Sequence, residues 1–198
     1  MEDGGRVRSF VCLELPSAIR RFFGDVIARL RQDKLPFRWG RTEGLHITLA
    51  FCGEHPASTV ARFTRALGEE LEGAPLRPFP LRLVGLNGFP RRINARVLVA
   101  EVEERSGVLN ALADRVGRLA LQEELIEERP RFTPHVTLGR AREGATVPEA
   151  PWFAASTALW TADSVTYMRS DLRPSGPLYS AMGRWLLKED GAVRRETL

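Results

Sequence analysis

Apolar positions along the chain follow two periodicities, one typical of strands and the other typical of helices. Short apolar, β-branched runs predict strands at residues 7–15, 45–51, 81–86, 97–102, 132–139, 158–168 and 178–187. Apolar residues at helical spacing predict a helix after Ser17, a second over residues 56–72 and a third after Ser106, with both serines as N-caps. Asn87-Gly88 predicts a turn. The chain is therefore expected to mix strands with three amphipathic helices.

One arrangement of elements occurs twice: a strand, a helix, and a second strand that carries a histidine. Val11 precedes His46 by 35 residues, and Val99 precedes His135 by 36. This spacing predicts a degenerate internal repeat. Two related halves that pack together would bring their matching strands side by side about a pseudo-two-fold axis.

The two histidine-bearing strands contain the same short motif. Each has a histidine, an aliphatic residue and a threonine, in His46-Ile47-Thr48 and in His135-Val136-Thr137. Because strand side chains alternate between faces, each histidine shares a face with its threonine while the aliphatic residue points into a core. A lone strand histidine is more often a hydrogen-bonded structural residue. Two in the same pattern on equivalent strands favour a catalytic pair.

A pair of imidazoles suits acid–base chemistry on a phosphodiester. Both titrate near neutral pH, so one can be neutral while the other is protonated. The neutral ring would take a proton from attacking water, and the charged ring would give one to the departing ribose oxygen. Thr48 and Thr137 are expected to donate hydrogen bonds to the non-bridging phosphate oxygens. The near-symmetry of the motifs leaves open which histidine is the acid.

Charge and composition narrow the picture only slightly. The formal charge is +4, and Lys34 and Lys188 are the only lysines, so arginine supplies most of the positive charge. An arginine side chain can bind two phosphate oxygens at once, which is typical of proteins that bind nucleic acid. Coding bias explains the same composition, so the residue counts do not decide between a functional and a genomic cause.

Cysteine, histidine and hydropathy patterns argue against several other classes. Cys12 and Cys52 lie in apolar runs and are predicted to be buried free thiols. The three histidines and two cysteines show no metal-ligand spacing, so we predict no metal site. The apolar runs are too short to span a bilayer, and no signal-peptide pattern is present. A cytoplasmic monomer that does not bind membranes is the expectation.

Three segments resemble the two-histidine (2H) phosphoesterases, in their bacterial and archaeal branch named 2'-5' RNA ligase-like. They are RSFVCLELP (residues 8–16), LHITLAFCGE (45–54) and RFTPHVTLGR (131–140), and the resemblance extends to about Leu187. It implies a bilobal α+β fold, with two antiparallel-rich sheets and flanking helices around a central cleft. We expect this domain over residues 1–190, followed by a polar tail at 191–198.

The resemblance also implies an activity and a role for each histidine. The activity is hydrolysis of RNA 2',3'-cyclic phosphate ends to 2'-phosphates, without a cofactor or a metal. His46 would be the proton donor and His135 the proton acceptor. A reverse reaction that joins RNA ends through a 2'-5' linkage would be secondary.

Arg140 is the third site residue that the resemblance implies, as a ligand of the substrate phosphate. Strict strand alternation places Arg140 on the face opposite His135. Either Gly139 or the end of the strand redirects its side chain, or Arg140 is structural. Two residues depart from the family pattern: we expect Cys52 to pack in the core and His55 to lie on the surface.

Other residues and functions stay open at this point. Aromatic residues near the motifs could stack on a base or fill the core: Phe10, Phe37, Trp39, Phe132 and Tyr179. Nearby arginines could contact the RNA backbone or form a solvated face: Arg38, Arg41, Arg129 and Arg131. The alternative functions are hydrolysis of small cyclic nucleotides and non-catalytic RNA binding. The intact motifs argue against the latter, because binding alone does not require both imidazoles.

Overall fold

The computed structural model describes residues 5–154, 158–174 and 176–197. Within these ranges the strands are β1 (Arg6–Glu14), β2 (Arg38–Trp39), β3 (His46–Pro56), β4 (Phe79–Phe89), β5 (Ala95–Glu103), β6 (His135–Ala145), β7 (Leu159–Ala162), β8 (Ser164–Asp171), β9 (Leu178–Leu187) and β10 (Val193–Arg195). The helices are α1 (Ser17–Gln32), α2 (Ala57–Glu72), α3 (Val108–Gln122) and the short α4 (Pro151–Ala154). The predicted α+β class is confirmed.

The helices form where the apolar stripes predict them. Helix α1 buries one face, made of Ile19, Phe23, Val26, Ile27 and Leu30. Helix α2 buries Val60, Phe63, Leu67 and Leu71 in the same way. Such stripes stabilise helices mainly by covering a sheet rather than by intrinsic helix propensity. They pack into one core cluster with the inward residues of the strands.

The strands form one antiparallel sheet instead of the two that were expected. Their order is β10-β9-β8-β1-β3-β6-β5-β4-β7, with β2 pairing separately with β6. The two halves of this sheet join at β3 and β6, which pair at Ile47 and Val136. Beside this junction, β1 flanks β3 and β5 flanks β6. The predicted repeat of strand, helix and histidine-bearing strand is therefore present in β1-α1-β3 and β5-α3-β6.

Strand and turn positions differ from the predictions, most clearly at residues 87–88, 132–134 and 158–168. Strand β6 begins at His135 and runs to Ala145, whereas residues 132–134 precede it. Asn87-Gly88 forms no turn and lies inside β4. Glycine is needed there because a Cβ on Gly88 would collide with Ala95 Cβ on the neighbouring strand. The predicted strand over residues 158–168 is broken at Asp163, so that β7 pairs with β4 while β8 pairs with β1 and β9.

The predicted polar tail at residues 191–198 is also wrong in part. Val193–Arg195 form β10, which pairs antiparallel with β9. Glu196 then accepts a hydrogen bond from Arg184 at 3.0 Å. Backbone pairing and this ion pair hold a segment whose composition alone indicates solvent exposure.

Neither serine caps its helix as predicted. Helix α1 begins after Pro16 without a side-chain cap, and Ser17 is its first helical residue. At α3 the N-cap is Gly107, with φ of +85°. The Glu104 carboxylate accepts hydrogen bonds from the backbone N–H of Ser106 at 2.6 Å and of Leu109 at 3.1 Å. A carboxylate is favoured here because the N–H groups at a helix start carry partial positive charge.

Both cysteines are free and buried, as the sequence predicts. Burial raises the pKa of Cys52 to about 12 and raises that of Cys12 well above its ordinary value. These thiols therefore stay protonated and pack as small apolar groups. Among the described residues, no helix is both long and apolar enough to cross a bilayer.

Candidate active site

The junction of β3 and β6 brings the two motifs together. The side chains of Ile47 and Val136, which pair there, are completely buried. Continuing the antiparallel register by one residue each way sets His46 opposite Thr137, and Thr48 opposite His135. Since side chains alternate, all four polar groups share the face opposite the two aliphatic residues. The imidazoles occupy diagonal positions, for which Cα atoms lie about 7–8 Å apart.

The two imidazoles are held in the same way. His46 Nδ1 lies 2.7 Å from the carbonyl oxygen of Gly44, and His135 Nδ1 lies 2.7 Å from that of Thr133. A carbonyl oxygen can only accept, so Nδ1 carries the proton in both rings. Each ring is thus anchored to the backbone two residues before it. Nε2 is left to exchange a proton with a substrate.

Aromatic rings pack against both histidines. Phe10 stacks on His46 with centroids 4.6 Å apart, and Tyr179 meets the same ring edge-on at 5.4 Å. Phe89 contacts His135 edge-on at 5.0 Å. The sequence indicated Phe10 and Tyr179 as candidates but missed Phe89, because the contact depends on which strands pair. Of the other candidates, Phe37 is buried, and Trp39 and Phe132 are partly buried against the core.

The environment lowers the pKa of both histidines. For His46 the main cause is burial, and the charges of His135 and Arg140 lower the pKa further; the Gly44 hydrogen bond and Glu14 oppose them. For His135 burial is again the main cause, Arg140 adds to it, and the hydrogen bond to Thr133 opposes it. The lowered pKa favours the neutral form of both rings. A phosphate placed between them would favour protonation.

Arg140 lies on the same side of the sheet as the histidines. In the β5–β6 pairing Val99 is opposite Thr137, while Leu98 is opposite Gly139, so Leu138 is an extra residue in β6. This β-bulge resets the alternation of side chains. Leu138 and Gly139 are both buried and Arg140 is exposed. The bulge at residues 138–139 therefore turns Arg140 to the face of the sheet that carries the histidines.

A cavity of about 210 Å³ opens beside His46, lined by Phe10, Glu14, Tyr179, Arg184 and six further residues. Glu14 pairs with His46 across β1 and β3. Its Oε1 accepts hydrogen bonds from Arg184 Nε at 3.0 Å and from Thr166 Oγ1 at 2.7 Å. The carboxylate is thus held in place next to the first histidine.

The second half has a matching carboxylate. Glu101 pairs with His135 across β5 and β6 and accepts a hydrogen bond from Asn87 Nδ2 at 2.6 Å. Neither glutamate was singled out from the sequence. The internal repeat was the signal that could have found them, since each lies on the strand that pairs with its motif.

The third histidine lies outside the site. We expected His55 on the surface, but it is half-buried near the end of β3. Its Nε2 lies 3.0 Å from the Leu125 carbonyl oxygen. That contact gives it a structural hydrogen bond. Across the described parts of the chain, no group of three or more His, Cys, Asp or Glu side chains is arranged to hold a metal ion.

The protein has an α+β fold, and two central strands of its sheet each carry an imidazole that is hydrogen-bonded to a backbone carbonyl oxygen. This arrangement defines the class of two-histidine phosphoesterases. The sequence-family model of the 2'-5' RNA ligase superfamily matches residues 15–173, and the chain belongs to that family. An RNA 2',3'-cyclic phosphodiesterase of Thermus thermophilus is 31% identical over 192 residues, 92% of this chain and 91% of that protein. One of Geobacillus stearothermophilus is 29% identical over 208 residues, 93% of this chain but 62% of that protein. The crystal structure of TT0787 of Thermus thermophilus superposes with a TM-score of 0.77 at 28% identity, covering 92% and 99% of the two chains.

Proposed function

We propose that the protein hydrolyses RNA 2',3'-cyclic phosphodiester ends to 2'-phosphomonoesters, with His46 as general acid and His135 as general base. The main support is the matched pair of imidazoles, each anchored through Nδ1 to a backbone carbonyl at 2.7 Å. The relatives named RNA 2',3'-cyclic phosphodiesterase support the choice of substrate. No observation favours small cyclic nucleotides or RNA binding without catalysis.

The proposed reaction needs one proton transfer at each histidine. Water attacks phosphorus, and His135 Nε2 accepts its proton. The bond between phosphorus and the ribose 3'-oxygen breaks, and His46 Nε2 donates a proton to that oxygen. The phosphate stays on the 2'-oxygen. His135 ends protonated and His46 neutral, and exchange with solvent restores the starting state.

The negative charge that develops on the phosphate requires donors. Thr48 and Thr137 flank the imidazoles on the same face, and Arg140 reaches that face through the bulge. We assign the two hydroxyls and this guanidinium to the non-bridging oxygens, where donors contribute most as charge builds up. No metal and no cofactor takes part in this scheme, so a chelator should leave the rate unchanged.

Substituting the histidines one at a time tests the proposal. His46→Ala and His135→Ala should each lower kcat by about 10²–10⁴, the usual contribution of a positioned proton transfer. His55→Ala is the matched control, because it removes the third histidine outside the site. Wild-type turnover in either motif variant, or strong loss of rate in EDTA, would contradict the mechanism.

Product analysis tests the choice of leaving oxygen. An RNA that ends in a 2',3'-cyclic phosphate should give a 2'-phosphate, and a 3'-phosphate product would show that the other ribose oxygen leaves. A 5'-hydroxyl in place of water would give a 2'-5' linkage with the same acid and base. We propose that ligation as a secondary activity.

A further inference from the structure

Two arginines face each other across neighbouring strands beside the candidate active site. Strand β2 pairs with β6, and Arg38 is opposite Arg140. Residues opposite each other in an antiparallel pair lie on the same face of the sheet. Both side chains are exposed. The bulge in β6 turns Arg140 towards the histidines, so Arg38 shares that face with it.

Strand β2 is held closely against β6. Gly40 N–H donates a hydrogen bond to the Leu138 carbonyl at 2.8 Å. A Cβ on Gly139 would lie 3.1 Å from Phe37 Cβ and 3.2 Å from the Arg38 carbonyl oxygen. The absence of a side chain at Gly139 therefore allows this approach. The position of Arg38 follows from backbone pairing and not from a free loop.

The pairing of two like charges is unfavourable by itself. Like charges directly opposite on a sheet destabilise it, whereas opposite charges stabilise it. In the same half of the sheet, on β4 and β5, Arg82 is opposite Glu103 and binds its carboxylate. In the described part of the chain, Arg38 and Arg140 form no ion pair and no side-chain hydrogen bond. Their arrangement suits an anion supplied from outside.

The arginine pair lies towards the end of the site that contains His46. Strands β3 and β6 are antiparallel, so positions beyond Thr137 on β6 run towards the start of β3, where His46 lies. The charge of Arg140 acts on both histidines and on Tyr179, which contacts the His46 ring. In the proposed mechanism His46 protonates the departing ribose oxygen. The ribose of the terminal nucleotide is therefore on this side.

We propose that Arg38, next to Arg140, binds the phosphate on the 5'-oxygen of the terminal nucleotide while Arg140 contacts the cyclic phosphate, so that the enzyme prefers RNA ends to free nucleoside 2',3'-cyclic phosphates. This inference rests on the proposed function, because it uses the side on which the ribose leaves. The 5'-phosphate belongs to the same ribose as the cyclic phosphate and is the next anion along the RNA. Each guanidinium group can bind two phosphate oxygens at once, so two neighbouring arginines suit two successive phosphates of one nucleotide.

The test compares two substrates that differ only in this phosphate: adenosine 2',3'-cyclic phosphate with and without a 5'-phosphate. The wild-type enzyme should have the higher kcat/KM on the 5'-phosphorylated substrate. Arg38→Gln should reduce that preference about tenfold, the order expected for one charge-assisted contact at an exposed site. Arg38→Lys should restore part of it. Arg65→Gln, an equal change of net charge on α2, should keep the wild-type preference.

Equal loss of rate on both substrates in Arg38→Gln, or an unchanged preference, would overturn the proposed phosphate site. Calorimetry separates this result from failure of the proposed function, since it needs no turnover. Adenosine 2',5'-bisphosphate should bind more tightly than adenosine 2'-monophosphate to the wild type and lose that advantage in Arg38→Gln. If neither cyclic substrate is hydrolysed but the binding advantage depends on Arg38, the phosphate site stands and the assigned reaction fails.

Discussion

The motif threonines are the residues whose role can be tested with least damage to the fold. Thr48 and Thr137 are half-buried, and no hydrogen bond of either hydroxyl is present among the described residues. Valine has nearly the same shape and is equally favourable in a strand. Thr48→Val and Thr137→Val therefore remove a hydroxyl donor and leave the packing of β3 and β6 almost unchanged.

The expected loss follows from where charge develops. A hydrogen bond to a charged group contributes roughly 1.5–3 kcal/mol, and loss of one donor to a developing oxyanion costs about 10²–10³ in kcat. We expect each valine variant to lose between about 10 and 10³ in kcat. The two losses should be of similar size, because the motifs occupy equivalent positions on paired strands. Since the bonds strengthen in the transition state, kcat and kcat/KM should fall together while KM changes little.

Initial rates on an RNA that ends in a 2',3'-cyclic phosphate measure these losses. Thr48→Ser and Thr137→Ser keep the hydroxyl and should retain most of the activity. Thr161→Val, on the exposed face of β7 at the far edge of the sheet, is the matched control and should be neutral. Thermal unfolding of the valine variants should stay close to that of the wild type. Full activity in both variants, or a loss of rate explained by unfolding, would refute the assigned role.

Three further predictions concern proton transfer and the junction of the two halves. Arg140→Gln removes a charge that lowers the pKa of both histidines, so both limbs of the kcat/KM–pH profile should move to higher pH. Glu14→Gln removes a charge that raises the pKa of His46, so the alkaline limb, set by the proposed acid, should move to lower pH; shifts of the opposite sign would contradict these assignments. Ile47→Ala should cost roughly 2–5 kcal/mol in denaturant unfolding, and it should also lower kcat because Ile47 pairs the motif strands. Leu81→Ala, equally buried in β4, should lose stability but keep kcat, and equal kcat losses in the two variants would argue against a role of the junction.

Local patterns in the sequence predicted the helices and the motif strands because those elements carry their own periodicity. The stripe that starts at Ile19 and the strand over residues 178–187 both agree with the structure. The alternation in His46-Ile47-Thr48 correctly separates the polar face from the core, since Ile47 is completely buried and its neighbours are not. These features depend only on contacts with residues nearby in sequence or with a generic apolar layer.

The internal repeat predicted that the motif strands come together, but other features that depend on long-range pairing could not be predicted. The apolar pattern continues across Asp163, yet the chain there passes from one half of the sheet to the other. Strand β2 has only two residues and exists because Gly139 lets it approach β6. The bulge at Leu138 is visible only in the register with β5. The position of Arg140, left open by alternation, is decided by that register.

The near-symmetry of the site limits what the histidines themselves can decide. Both rings have an equivalent backbone anchor, an equivalent threonine two residues later and a pKa lowered by burial, so neither is intrinsically the acid. The surroundings differ: the His46 side has the cavity, the Glu14–Arg184 pair and the paired arginines, whereas His135 contacts Phe89 and lies opposite Glu101. In the proposed mechanism the terminal nucleotide lies on the His46 side, presents its ribose oxygen to that ring and leaves the His135 side open to water. We propose that these different surroundings, and not the imidazoles themselves, set the direction of proton transfer.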